Sequence, residues 1–195
     1  EYAQSHGIGN HFALMPFLGL YWGSKALEKT LKIPLYPVPH PINPFLGVHL
    51  TPTSKGISKI GPTAIPVLGA EQYGLTDLPN ISEVFRTVSG AISMMKGEKH
   101  SLGKLVATEA RYLLRKNMIK DASRLFPEAL NIKDWHLVPG GIRSQLIDKN
   151  NGALLDDFLV ETEGNTTHIL NAVSPGWTSA LSFAEWVISE HSGGK

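Results

Sequence analysis

Two ionisable side chains lie inside apolar, strand-like stretches of the sequence. A residue of this type in such a stretch indicates a binding partner or a chemical function. The first is His49, which lies between Val48 and Leu50. An imidazole titrates near neutral pH, which is the property that proton transfer requires. His49 is therefore a candidate for acid–base chemistry.

The second is Arg143, which follows the run Pro139-Gly140-Gly141. Two glycines let a ligand approach the backbone closely, and a guanidinium inside a strand must find an anion. Arginine binds carboxylates through two parallel hydrogen bonds. From the residues alone, a carboxylate ligand and a structural partner such as Asp156 or Asp157 are equally good interpretations.

A third stretch, residues 171–179, is typical of a strand that turns into the start of a helix. The free N–H groups and the helix dipole at such a point favour anions or electron-rich oxygens. The alternative interpretation is a well-capped helix without a ligand.

Several classes of site are excluded by the sequence. It has no G-x-G-x-x-G, P-loop, H-E-x-x-H or G-x-S-x-G motif, and its eight histidines lack the spacing of metal ligands. The absence of cysteine excludes a disulfide framework and a thiolate nucleophile. A net charge of +1 gives no reason to expect nucleic acid or a membrane surface as partner. No apolar run is long enough for a membrane span.

The strands that would position these residues follow from the alternation of side chains. Prolines between residues 34 and 44 exclude a helix or central strand there and predict an extended entry into a strand. In that strand Phe45, Gly47 and His49 would share one face. Further strands are expected over residues 13–22, 57–61, 63–68, 135–147, 154–161 and 167–172, and the first third would form a mostly antiparallel meander. Pro16 suggests a bulge or an edge strand.

Helical periodicity appears in four places. Asn80 and Glu83 would cap a helix that runs to about residue 95, and two more helices follow Ser101 and Asn117. A last helix is expected from about Thr178 to His191. The predicted fold class is α+β: a mixed, largely antiparallel sheet with the first three helices on one face.

Seven sequence blocks, in this order and spacing, resemble the FAD-dependent oxidoreductases of the D-amino-acid-oxidase type. The similarity is to the C-terminal portion of the L-2-hydroxyglutarate dehydrogenase/oxidase group. The blocks are Pro16–Tyr21, Tyr36–Pro39, Pro44–Thr51, Gly61–Ala64, Gly141–Gln145, Asp156–Leu159 and Asn171–Pro175. The chain departs from the family pattern at Leu18 and Leu20, where the family has Arg and Glu. Other departures are Trp22, His40, Pro52 and Gly176-Trp177.

The resemblance implies a fragment of a two-domain flavoenzyme. Residues 1–135 would form most of the substrate-binding domain, and residues 136–195 would complete the FAD-binding domain. The family's G-x-G-x-x-G strand belongs to an N-terminal part that precedes these blocks. The isolated chain is therefore not expected to retain FAD. It would expose the surface on which the rest of the FAD-binding domain packs, and self-association through that surface is expected.

The resemblance also implies the activity and its residues. The full-length enzyme would oxidise a small 2-hydroxy acid, similar to 2-hydroxyglutarate, to the 2-oxo acid, with FAD accepting the hydride. Arg143 would bind the substrate carboxylate, His49 would accept the hydroxyl proton, and Tyr21 and Tyr36 would make further substrate contacts. FAD would be contacted by Gly141, Ile142, Ser174, Pro175, Gly176, Trp177, Thr178 and Ser179, and no metal is expected.

Two other functions stay open at this point. One is an amine- or amino-acid-oxidising member of the same family, and the other is a non-catalytic binding domain that kept the fold. The sequence leaves the electron acceptor open, and cytoplasm and mitochondrion are the compartments most compatible with the resemblance.

Overall fold

The computed structural model describes residues 2–38, 47–73, 77–96, 102–174 and 176–191. The strands are β1 (Phe12–Ser24), β2 (His49–Thr51), β3 (Ser58–Gly61), β4 (Ile65–Pro66), β5 (His136–Asp148), β6 (Leu159–Glu163) and β7 (Thr166–Asn171). The helices are α1 (Tyr2–Ser5), α2 (Lys25–Thr30), α3 (Ile81–Lys96), α4 (Leu102–Ala110), α5 (Arg115–Ala122) and α6 (Ala180–His191). Short 3-10 helices cover Arg111–Leu113 and Pro127–Asn131. Helices combined with antiparallel sheets confirm the α+β class.

β1 is the central strand of the larger sheet because both of its edges are paired. It pairs antiparallel with β5 from Phe12 opposite Asp148 to Gly23 opposite His136. Its other edge pairs with β3 and β4, and β2 lies beyond β3. The sheet is not the meander that was expected, because β1 pairs with β3 and β4 along one edge and β2 pairs with β3 instead of β1.

Pro16 lies within this central strand, so the prediction of an edge strand was wrong. The Pro16 carbonyl accepts a hydrogen bond from the Val67 N–H at 3.1 Å. The missing N–H of Pro16 points to that same side, where β4 is only two residues long. The bulge lies instead in β5, where residues 139–140 face Leu20 alone.

The two faces of the sheet carry separate cores. On one face, Met15 and Phe17 of β1 pack with Met94 of α3, and Ala91 and Leu105 extend this cluster. On the other face, Ile60 and Leu50 pack with Leu27 of α2 and Met118 of α5. The helices therefore cover both faces, and the expectation of one covered face holds for α3 and α4 only.

The strand β2 is shorter than predicted. Gly47 has a φ of +70°, which ends extended geometry before residue 48, so the strand begins at His49. Leu35 and Leu50 form an isolated bridge that ties the proline-rich entry to the strand. Residues 39–46, which include the predicted strand residue Phe45 and the family departure His40, lie outside the described residues.

β6, β7 and α6 follow the larger sheet as a separate group. Phe158 stacks on Phe183 of α6 with ring centroids 4.2 Å apart. β5 belongs to the larger sheet along its whole length. The division into two domains at residue 135 stays a prediction. Within the described residues, no helix is both long and apolar enough to cross a membrane.

Candidate functional site

His49 and Tyr21 lie in one row across the sheet, on either side of Gly61. His49 is the register partner of Gly61, and Tyr21 precedes Trp22, whose partner is Ile60. A Cβ atom on Gly61 would lie 2.7 Å from Cδ1 of Tyr21, so only glycine leaves room for the tyrosine ring there. The two predicted site residues therefore share one face of the sheet.

The tautomer of His49 follows from one hydrogen bond. Nδ1 lies 3.1 Å from the Gly47 carbonyl oxygen, which can only accept. In the neutral imidazole Nδ1 therefore carries the proton, and Nε2 keeps the lone pair. The ring also stacks on Tyr36, with centroids 4.6 Å apart, so the structure brings these two predicted residues together.

The surroundings of His49 favour its neutral form. Partial burial lowers the pKa of His49, the hydrogen bond to the Gly47 carbonyl opposes this, and the positive charge of Lys59 lowers the pKa further. The pKa of Tyr21 is raised, first by burial and then by the nearby Tyr36. Tyr21 is thus a neutral hydroxyl donor near a neutral imidazole.

Lys59 is a further residue on the sheet face of His49 and Tyr21, and the sequence interpretation did not single it out. Its Nζ lies 4.1 Å from the centroid of the Tyr21 ring, in cation–π contact. The alternation of side chains in β3 could have indicated its position, since Lys59 and Gly61 are two residues apart and therefore share a face. The pairing of Gly61 with both neighbouring strands was needed to place that face beside His49.

Arg143 lies on the same face of the sheet, further along β1. Its register partner is Phe17, and the bulge in β5 puts Arg143 on the side of Tyr21. The Nε–H of Arg143 donates to Oε1 of Gln145 at 3.1 Å. Gln145 is 1% exposed, and its amide in turn donates to the Leu155 carbonyl. Burial lowers the pKa of Arg143.

Glycines occupy the row between Arg143 and Tyr21. Gly19 and Gly141 face each other there, and a Cβ on Gly141 would meet no atom within 4 Å. The space above Gly141 is therefore open. A Cβ on Gly140 would instead lie 2.7 Å from the Gly19 carbonyl oxygen, so Gly140 is required for packing of the strands. Ile142 pairs with Leu18, and its side chain lies on the opposite face from Arg143.

The predicted cofactor turn leads into α6. Ser174, Gly176, Trp177, Thr178 and Ser179 form turns before the helix begins at Ala180, whereas Pro175 lies outside the described residues. The Gly176 N–H donates to the Val173 carbonyl at 2.7 Å, and a Cβ on Gly176 would lie 2.9 Å from the same oxygen. Trp177 is 92% exposed. The contact of this turn with a flavin stays a prediction.

A cavity of about 410 Å³ lies elsewhere, beside the first half of β1. Its walls include Ile8, Phe12 and Leu14 together with Arg86 of α3, and none of the predicted site residues lines it. Among the described residues, no three His, Asp or Glu side chains are grouped so that they would hold a metal ion.

The chain was compared with known proteins. No family model matches it. It is 35% identical over 185 residues to L-2-hydroxyglutarate dehydrogenase of Indibacter alkaliphilus, which covers 90% of this chain and 44% of the relative. The mitochondrial L-2-hydroxyglutarate dehydrogenase of Caenorhabditis elegans is 33% identical, covering 91% of this chain and 41% of the relative. That of Nematostella vectensis is 31% identical, covering 95% and 41%.

These relatives confirm the resemblance that the sequence motifs indicated. The chain spans less than half the length of the curated relatives that it matches.

Proposed function

We propose that the chain supplies the substrate-binding part of an FAD-dependent oxidoreductase that oxidises a small 2-hydroxy acid, similar to 2-hydroxyglutarate, to the 2-oxo acid. One observation carries the proposal: His49, Tyr21 and Arg143 share one sheet face, and the space above Gly141 on that face is open. The names of the similar proteins support the same reaction class.

Arg143 would bind the carboxylate of the substrate. Gln145 holds the Nε end of its guanidinium and so limits the directions in which the planar fork can point. The row of Arg143 lies four β1 residues from Tyr21, a distance of about 13 Å along a strand. Two long side chains and a small acid can together bridge such a gap, because the space above Gly141 between them is open.

His49 would accept the proton of the substrate hydroxyl. Its Nε2 carries the lone pair, because Nδ1 is committed to the Gly47 carbonyl. The lowered pKa keeps the imidazole neutral at physiological pH, which a general base requires. The stacked Tyr36 ring fixes the plane of the imidazole, and the Tyr21 hydroxyl is a further hydrogen-bond donor for the substrate.

The residues present fit one edge of a flavin. The open space above Gly141 admits a flat ring against the backbone, and the turn before α6 offers the N–H groups of a helix start. Gly141, the Ile142 backbone and residues 174–179 would hold that edge. When bound, the flavin supplies the acceptor for the hydride of the substrate carbon.

Anaerobic reduction of the flavin in the full-length protein tests this function. We expect 2-hydroxy acids to bleach the visible flavin absorbance, and 2-hydroxyglutarate to do so faster than shorter 2-hydroxy acids. Reduction by amines or amino acids alone would favour the amine-oxidising alternative. A flavin that no member of the panel reduces would favour a non-catalytic binding domain.

A further inference from the structure

We propose that Lys59 determines specificity by binding a second anionic group of the substrate, so that the site prefers a dicarboxylate to a monocarboxylate of the same length. The inference rests on the proposed function, since it assigns Lys59 to the same site. It goes beyond that function because neither the motifs nor the similar proteins assign a role to Lys59.

The first observation is the position of the ammonium group. Lys59 stands on the face that carries His49 and Tyr21, and its Nζ lies over the Tyr21 ring at 4.1 Å from the centroid. The register partners of Lys59 are Gly23 and Thr51, which are uncharged. Across the parts of the chain that the structure describes, no carboxylate lies within ion-pair distance of Lys59. A positive charge therefore stands at the site without a carboxylate from the described residues to balance it.

The second observation is the distance between Lys59 and the proposed base. His49 pairs with Gly61 and Lys59 pairs with Thr51, so the two residues are diagonal neighbours on β2 and β3. Diagonal neighbours have Cβ atoms about 7–8 Å apart. A carboxylate three carbon–carbon bonds from a hydroxylated carbon lies roughly 4–5 Å from that carbon, and a hydrogen bond at each end adds about 3 Å. The Lys59 ammonium leans over Tyr21, on the side of β3 away from His49, so the two head groups stand further apart than the two Cβ atoms. A substrate that binds His49 through its hydroxyl and Lys59 through its far carboxylate can span that wider gap.

The third observation is the chemistry of the Lys59 head group. Contact with the Tyr21 ring uses one side of the ammonium, so N–H donors on its other side can face a ligand. A monocarboxylate would leave this half-buried cation without a counter-charge. The site would therefore distinguish the two ligands by the charge of their far end.

The test compares Lys59→Met and Lys59→Arg in the full-length protein, with Lys55→Met as the matched control. Lys55 lies in the exposed turn before β3, outside the site. The substrates are 2-hydroxyglutarate and 2-hydroxypentanoate, which have the same carbon chain but differ in the charge of the far end. We expect Lys59→Met to raise KM for 2-hydroxyglutarate by about tenfold to a hundredfold with little change in kcat. The KM for 2-hydroxypentanoate should stay unchanged, and Lys59→Arg should restore most of the loss.

The opposite results overturn the inference. If Lys59→Met impairs both substrates equally, Lys59 does not distinguish the charge of their far end and acts only through His49. If the KM for 2-hydroxyglutarate does not change, Lys59 does not bind the second carboxylate.

Binding of glutarate, measured by calorimetry, separates this inference from the proposed function. A loss of glutarate affinity in Lys59→Met supports the role of Lys59 even if no 2-hydroxy acid reduces the flavin, a result that would refute the proposed function alone. Equal glutarate affinity in the parent and in Lys59→Met overturns the inference whether or not the enzyme is active.

Discussion

A lysine in place of Arg143 would keep the positive charge of the site but lose the planar fork and the Nε–H that Gln145 accepts. We expect Arg143→Lys and Arg143→Ala to weaken the apparent affinity for the best hydroxy acid by about two to four orders of magnitude, because two charge-assisted hydrogen bonds are lost. Steady-state KM and kcat/KM of the full-length enzyme measure this. Arg124→Lys is the control, since Arg124 is an exposed partner of Asp121. Values within a few-fold of the parent would assign Arg143 a structural role.

His49 should set the acidic limb of the pH profile. As a base it works only when neutral, so kcat/KM falls as pH drops through the pKa of His49. Burial and Lys59 lower that pKa below its ordinary value of 6.5, so the limb should lie on the acid side of pH 6.5. Lys59→Met removes one of the lowering causes and should move the limb to higher pH. A limb that persists unchanged in His49→Gln would show that another group titrates.

The residue scale was partly predictable. Strand alternation suggested His49, and an arginine inside a strand suggested Arg143; the structure puts both on the sheet face of Tyr21, and their roles stay predictions. Lys59 was missed because a lysine in a strand is ordinarily a solvated side chain. Its place beside Tyr21 depends on cross-strand pairing, which the composition of β3 does not reveal. The stacking of Tyr36 on His49 likewise joins two residues that are not neighbours in the sequence.

At the scale of elements, the Thr63 side chain is hydrogen-bonded to the backbone of β1. Its hydroxyl accepts the Leu20 N–H at 3.0 Å and donates to the Leu18 carbonyl at 2.9 Å. Thr63 is 3% exposed, so Thr63→Val would leave the Leu20 N–H without its partner. We expect a loss of roughly 1–3 kcal/mol in the free energy of unfolding, measured by urea denaturation of the full-length protein. Thr63→Ser keeps the hydroxyl and should cost less. A larger loss in Thr63→Ser than in Thr63→Val would mean that the methyl group, and not the hydroxyl, matters.

The long elements were predictable and the short ones were not. The periodicity of α3 and the alternation of β1 extend over many residues and gave their positions closely. The helix α2 was missed because it is only six residues long and because its local cap, the Ser24 hydroxyl that accepts the Leu27 N–H, is supplemented by a distant residue. Asp134 accepts hydrogen bonds from the Ser24 hydroxyl and from the N–H groups of Lys25 and Ala26. Such a cap joins segments far apart in the chain, and no local pattern indicates it.

At the scale of the whole molecule, α6 exposes apolar side chains. Leu181 is 88% exposed and Ile188 66% exposed, as expected for a surface that another part of a longer protein covers. We predict that the chain expressed alone associates with itself at high concentration. Replacement of Leu181 and Ile188 by glutamate should restore the monomer in sedimentation experiments. A parent chain that is monomeric at every concentration would contradict the prediction.

Retention of the cofactor by the isolated chain is a second prediction at this scale. The sequence has no G-x-G-x-x-G unit, which supplies the pyrophosphate site at a helix start in dinucleotide-binding folds. We therefore expect the purified chain alone to lack the flavin absorbance band, whereas the full-length protein should carry it. About one equivalent of bound flavin in the isolated chain would refute this expectation. Absorbance spectra with a flavin standard decide between the two results.

The bulge in β5 affects which face of the sheet each of the following residues of that strand occupies. Val138 faces Tyr21, and because residues 139–140 together oppose one residue, Gly141 and Arg143 return to that side. Deleting Gly140 would leave Pro139 alone opposite Leu20, and ordinary alternation would then keep Arg143 on the side of Tyr21. Deleting Ile142, in the regular part of the strand, would instead place Arg143 directly after Gly141 and so on the opposite face. The bulge is thus a point at which β5 can lose a residue while the residues after it keep their faces, whereas a change of length within the regular part would exchange the inner and outer residues that follow.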